Sequence, residues 1–232
     1  MIRALDVVTS FVASTARLGS GMAIGTLGPR PAHAIELYDF EGCPYCRKVR
    51  EAFSILDLEA DVKPCPKGGT RFRDEVVRRG GRAQFPFIVD PNTKVELYES
   101  DDIVRYLFDT YGTGDIPMLL NLPLMPTVSS TLSSAMRLGS GTWRRPARPA
   151  GHPLELWSFE ASPFCRIVRE ALTSLELPYR LHNVAKGSPS REAFVRRSGK
   201  MMVPYLVDPN TGAAMFESSE IVHYLEETYA LP

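Results

Sequence analysis

The chain has 232 residues, 44% hydrophobic and 23% charged, an ordinary globular composition long enough for one large or two small domains. Its 27 basic residues balance its 27 acidic ones, which argues against a generic nucleic-acid binder with a basic excess. No run of about 18 apolar residues occurs, so no transmembrane helix is predicted. Cysteines at only 43, 46, 65 and 165 do not make a secreted disulfide scaffold, and a redox or buried role in a reducing compartment fits them better.

Residues 1–30 are acid-poor and carry Ser and Thr, like the end of an organelle transit peptide. Yet Arg17-Leu-Gly-Ser-Gly21 recurs as Arg137-Leu-Gly-Ser-Gly141, and a transit peptide is not copied in mid-chain. We therefore read 5–21 and 124–141 as a helix and turn ahead of each of two repeated units, the alternative being a targeting remnant. Residues 35–40 alternate as a short strand. Val49, Ala52, Phe53 and Leu56 then fall at helical spacing over 44–57, with Arg and Glu on the other side and Pro44 in the first turn. A second strand follows over 60–65, and an Arg-rich helix over 70–79 stops at Gly80-Gly81. Residues 87–89 and 95–98 flank Asp90-Pro-Asn-Thr93 as an antiparallel hairpin. The last helix runs over 100–111, with Ser100 as N-cap and Gly112 as terminator.

Everything then repeats. Of the 23 positions in 36–58, 13 are identical in 155–177, and FPFIVDPNT at 85–93 returns as VPYLVDPNT at 203–211. YESDDIVRYLFDTYG at 98–112 returns as FESSEIVHYLEETYA at 216–230. The predicted fold class is α/β, two tandem βαβαββα units on mixed four-stranded sheets. The predicted domains are 1–112, a basic Pro-rich linker with its leading helix at 113–152, and 153–232. The neutral total conceals a pattern. Residues 35–112 carry 12 basic and 15 acidic groups and residues 153–232 carry 8 and 10, so two acidic units alternate with basic connectors. Arg144, Arg145 and Arg148 among Pro146 and Pro149 read as a solvated tether, or as a contact for an acidic face or anionic membrane surface.

Cys43-Pro-Tyr-Cys46 falls at a strand-to-helix junction. There the unpaired N–H groups and the positive end of the helix dipole favour a thiolate at Cys43. Cys46, one turn deeper, is near enough to close a small disulfide. A zinc site would need a second such pair, and the four histidines are scattered. Two buried inert cysteines are the bland alternative.

On these motifs both units resemble the thioredoxin superfamily, specifically glutaredoxins and the glutathione-binding N-terminal domain of glutathione transferases. The likeness covers 35–112 and 153–230. It implies that Cys43 is the nucleophile and Cys46 the resolving thiol, with glutathione as co-substrate. It also implies that Phe85-Pro86 and Val203-Pro204 are cis and present the preceding backbone to glutathione. Glu99-Ser100 and Glu217-Ser218 would hold its γ-glutamyl group, a helix N-terminus suiting the carboxylate. Tyr45 and Phe164 join the glutathione-binding set. Lys67, matched by Lys186, would meet a carboxylate. The first unit departs from dithiol glutaredoxins at Phe40-Glu41-Gly42, where those carry Lys, and the all-helical domain of transferases is missing.

Cys65, in Pro64-Cys-Pro-Lys-Gly68, has no counterpart and reads as a loop thiol or as a third redox thiol at the cleft. In the second unit Ser162-Pro-Phe-Cys165 replaces the nucleophile. That unit either holds glutathione through the Ser162 hydroxyl or is structural, packed on the first as an intramolecular pseudo-dimer. Cys165, Phe164, Val168 and Leu172 read as core. The expected function is a glutathione-linked thiol–disulfide oxidoreductase acting on disulfide-bearing or glutathionylated substrates. Its rivals are a non-catalytic scaffold binding glutathione or a hydrophobic ligand, a transferase-like protein, and an iron–sulfur carrier. The paired architecture resembles tandem proteins of plants and algae, which implies a chloroplast.

Overall fold

The computed structural model describes residues 21–121 and 140–232. The helix and turn expected over 5–21 and 124–141 lie outside the described residues, apart from Gly21, Ser140 and Gly141. The first unit runs β1 (Ile35–Asp39), α1 (Pro44–Ile55), β2 (Ala60–Pro64), α2 (Arg73–Gly80), β3 (Phe87–Asp90), β4 (Val95–Tyr98) and α3 (Ser100–Tyr111). A single turn, α4 (Met118–Asn121), precedes the linker. The second unit runs β5 (Leu154–Ser158), α5 (Pro163–Ser174), β6 (Tyr179–Asn183), α6 (Ser190–Ser198), β7 (Tyr205–Asp208), β8 (Ala213–Phe216) and α7 (Ser218–Tyr229). Two tandem thioredoxin-like βαβαββα units result.

The two predicted four-stranded sheets are one. The order is β4-β3-β1-β2-β6-β5-β7-β8, joined where β2 and β6 pair antiparallel. Asp61 lies opposite Arg180, which is its own repeat counterpart, and Ala60 and Val62 lie opposite Leu181 and Tyr179. A local two-fold axis therefore passes through the Asp61–Arg180 pair, as in an isologous interface. A true homodimer of either unit would set like charge against like charge there. Here Arg180 Nε and Nη2 each donate to an Asp61 carboxylate oxygen at 2.7 Å, a bidentate fork.

Strand alternation then decides the layers. Leu37 of β1 faces α1 and α3, packing with Val49, Phe53 and Leu107 in a core that continues through Leu156, Val168 and Leu225 of the second unit. Tyr38 faces the other way, into a cluster with Cys65, Val76 of α2 and Phe87. Each large aliphatic or Phe side chain so buried contributes about 1.5–3 kcal/mol. The Asp-Pro-Asn-Thr turns are pinned alike in both units. Buried Asp90 Oδ2 accepts from the Tyr106 and Tyr111 hydroxyls at 2.6 and 2.5 Å, and Asp208 Oδ2 from Tyr224 and Tyr229 at 2.7 and 2.5 Å.

The Arg and Glu face of α1 is buried as well, at Arg47, Arg50 and Glu51. Three expectations need correction. Ser100 is the first helical residue of α3, not its cap, because Glu99 occupies the cap position without a side-chain bond. Phe164, two residues past the cap of α5, is not core but 44% exposed. The Arg-rich helix also starts later than predicted, at Arg73, and Gly81 in left-handed conformation ends it.

Candidate functional site

Cys43 is the N-cap of α1, with extended backbone (φ −83°, ψ 123°). Its Sγ accepts from the Cys46 backbone N–H at 3.3 Å, one of the donors that a helix start leaves unpaired. Pro44, next in line, has no N–H to lose. All four cysteines are free thiols, and Cys43 alone is not completely buried, at 5% exposed. A hydrogen bond from the Cys46 thiol pulls the Cys43 thiol below its ordinary range. Burial opposes this, while the Cys46 and Tyr45 backbone N–H groups and the Arg50 charge assist it. Cys46 moves the other way, first through burial and then because it donates to Cys43. One thiol is thus poised to ionise beside a partner that stays protonated.

The other predicted segments converge on the same end of the sheet. The Phe40 ring, three residues before Cys43, meets Phe85 edge-on at 6.3 Å. Phe85–Pro86 is cis. From the same loop Gln84 Nε2 donates to Glu99 Oε1 at 2.6 Å. Glu99 holds a left-handed φ of 63°, a conformation that costs a non-glycine residue of order 1–3 kcal/mol. Ser100 beside it is buried. Buried Lys48 of α1 pairs with Asp101, tying the two helix starts together. The Arg73 guanidinium lies 4.7 Å over the Phe85 ring and donates to the Cys65 and Pro66 carbonyls, bringing in the loop that bears Lys67. Cys65, in the loop just past β2, is buried among Tyr38, Val76 of α2 and Phe87, and burial pushes its thiol up. It is a loop thiol packed into the core, not one open to the cleft.

The second unit copies this scaffold with altered chemistry. Ser162 caps α5, its Oγ accepting from the Cys165 N–H at 3.2 Å. Val203–Pro204 is cis and Glu217 has φ 65° ahead of buried Ser218. Where the first unit has Arg82 and Gln84 against Glu99, the second has Lys200 and Met202, so the glutamate-holding amide is gone. Cys165 is buried, as expected, and Phe164 and Tyr45 (48% exposed) flank the two caps in equivalent positions.

Two features escaped sequence reasoning. The first is a strap ahead of each unit that pairs with the other unit. Lys67 donates its N–H to the Thr142 carbonyl at 2.7 Å and accepts from the Arg144 N–H at 3.0 Å, and its ammonium stands 5.5 Å over the exposed Trp143 ring. Lys186 makes the matching pair with Met22 and Ile24. The second is a buried ion cluster on the two-fold axis. Arg50 reaches Asp39, Glu41 and Glu160, while Arg169 reaches Glu41 and Glu160. Burial disfavours the Glu41 carboxylate, but Arg169 and Arg50 overrule it and hold its pKa down to about 2. The signal was present: Phe-Glu before each cap and Arg-x-x-Arg-Glu after it recur in both units.

A cavity of about 490 Å³ lined by Arg30, Glu36, Asp57 and Arg180 opens where β1 begins, at the far end of the strand from Cys43. Among the described residues no group of three His, Cys, Asp or Glu side chains converges as metal ligands, and no helix is long and apolar enough to cross a membrane.

The family profile described as glutathione S-transferase, N-terminal domain, matches residues 37–115 and again 156–232. The chain belongs to that family and carries its domain twice. No curated protein matches the chain. Among solved structures it is similar to a trimeric glutathione transferase of Leishmania, at 14% identity and a TM-score of 0.31, over 87% of this chain and 68% of that one.

Proposed function

We propose that the protein is a glutathione-linked thiol–disulfide oxidoreductase whose exchanging thiol is Cys43. The observation that carries this reading is the pairing of a thiol favoured as thiolate at a helix start with a protonated, buried Cys46 one turn below it. In the first step the Cys43 thiolate attacks the glutathione sulfur of a mixed disulfide. A Cys43–glutathione disulfide forms, and the substrate leaves as a thiolate that takes up a proton. In the second step a sulfur–sulfur bond is exchanged again. Either a second glutathione thiolate releases oxidised glutathione and restores Cys43, or Cys46 gives up its proton, closes a disulfide with Cys43 and releases glutathione. In that second branch two glutathiones then reduce the Cys43–Cys46 disulfide and leave as oxidised glutathione, so the net reductant on either branch is glutathione.

The remaining site residues fit such a co-substrate. The Phe85 backbone ahead of cis-Pro86 offers an N–H and a carbonyl to the cysteinyl part. The strained Glu99 and the α3 start at Ser100 suit the ammonium and carboxylate of the γ-glutamyl end. Lys67 suits a carboxylate. A Ser162 hydroxyl does not ionise near neutral pH, so exchange belongs to the first unit alone. The test is reduction of a glutathione mixed disulfide in the presence of glutathione and glutathione reductase. Turnover by wild type and none by Cys43→Ser is expected; equal rates, or none from either, overturns the reading.

A further inference from the structure

The loop that carries Cys43 is held from the other unit. Glu41, two residues before Cys43, is buried, and its carboxylate accepts from Arg169 Nε at 3.0 Å and Nη2 at 3.2 Å. Arg166 Nε stands 3.6 Å away. Both arginines lie on α5. Gly42 donates its N–H to the Gly141 carbonyl at 3.2 Å. A Cβ on Gly42 would lie only 2.0 Å from Thr142 Oγ1, so the strap rests directly on that peptide. The return contact is Arg50 Nε on Glu160 at 3.1 Å, two residues before Ser162.

The exchange is unequal. Arg50 meets a third carboxylate, Asp39, in its own unit. The equivalent of Asp39 is Ser158, to whose hydroxyl Arg169 Nη1 donates at 3.2 Å. Arg169 therefore has no carboxylate of its own strand to neutralise it, and its charge is spent on Glu41 and Glu160. The charged groups around the Cys43 loop are then Asp39, Glu41, Arg47, Arg50 and Glu51 from the first unit and Glu160, Arg166 and Arg169 from the second.

We propose that Arg169, assisted by Arg166, is a positioning residue for Cys43, and that the Ser162 unit serves as a built-in partner fixing the thiol loop of the first. The proposal rests on the reading of Cys43 as the exchanging thiol. Two effects act in one direction. Without the Arg169 fork the Glu41–Gly42 peptide keeps only its Arg50 and strap contacts, and the cap bond from Cys46 to Cys43 Sγ is weakened. Without its charge, the balance around Cys43 shifts by one unit toward the carboxylates, which disfavours a thiolate.

The test is site-resolved alkylation of Cys43 across the pH range, read by mass spectrometry, on the full chain. Arg169→Met is expected to raise the midpoint by at least about half a pH unit, roughly a threefold loss of thiolate at any pH below it. Arg169→Lys, which keeps the charge but not the fork, is expected to shift it less, in the same direction. Arg180→Ala, which breaks the more exposed cross-unit bridge to Asp61, is expected to leave it unchanged. An unmoved midpoint in Arg169→Met overturns the proposal, as does an equal shift in Arg180→Ala. If circular dichroism shows Arg169→Met unfolded, Arg169→Lys decides, and no shift there overturns it. A wild-type midpoint near the ordinary thiol value of about 8.5 removes the underlying reading of Cys43, an outcome distinct from equal, low midpoints in every variant.

Discussion

Glu41→Gln tests the buried ion cluster with almost no change of shape. The carboxylate faces Arg169, Arg50 and Arg166 and is shut off from water. Its pKa falls from 4.5 to about 2 against the opposing pull of burial, which corresponds to about 3 kcal/mol of stability at neutral pH. Removing one partner of a buried ion pair costs about 3–5 kcal/mol by general experience, so the two figures agree. The pH dependence has a definite sign. A carboxyl depressed on folding stabilises fully above its unfolded pKa and loses that contribution as pH falls through the folded value. About half should remain near pH 3 and little below pH 2. Urea unfolding of wild type and Glu41→Gln at pH 7 and pH 3 measures this. The expected gap is about 3 kcal/mol at pH 7, narrowing to about half at pH 3. A gap under about 1 kcal/mol at pH 7, or one that does not narrow in acid, refutes the argument.

Cys46→Ala removes the thiol that most favours the Cys43 thiolate but leaves the backbone N–H and Arg50. The alkylation midpoint of Cys43 should rise yet stay below about 8.5, with turnover surviving through glutathione alone. Tyr111→Phe deletes one of the hydroxyls on buried Asp90 and should cost about 1–2 kcal/mol in urea unfolding at pH 7. Burial raises the Asp90 pKa, but bonds from Tyr106, Tyr111 and Asn92 more than reverse this. The variant should therefore show a shallower loss of stability as pH falls below the unfolded carboxyl value of about 4. Asp61→Arg sets two arginines opposite each other on the axis and should lower stability by about 1 kcal/mol, while Asp61→Arg with Arg180→Asp should restore most of it. Thermal melts of the two variants check this.

The units and their strands were legible because the repeat displays every element twice. Strand alternation, the Pro44 start and the Asp-Pro-Asn-Thr turns are local signals with local causes. The joining of two sheets was not legible, since β2 and β6 read like any buried strands and nothing local marks an edge that finds its own counterpart. Helical period set the Arg and Glu side chains opposite the apolar face of α1, but period distinguishes apolar from charged and does not show that Arg47, Arg50 and Glu51 meet a neighbouring ion cluster and not water. Ser100 was misread as a cap because the left-handed turn at Glu99 has no signature in residue type. The dithiol, both cis-prolines and the Glu-Ser turns were found in advance, as motifs in a fixed order. The residues that hold them together across the axis, Glu41 and Arg169, are 128 positions apart and meet only in the fold.

The most direct measurement is the fate of each thiol after equilibration with oxidised glutathione, mapped by peptide mass spectrometry. The account predicts modification confined to the Cys43–Cys46 pair, either as a glutathione adduct on Cys43 or as a Cys43–Cys46 disulfide, with Cys65 and Cys165 untouched until the protein is unfolded. Four unreactive thiols, or adducts spread over all four cysteines, would contradict it.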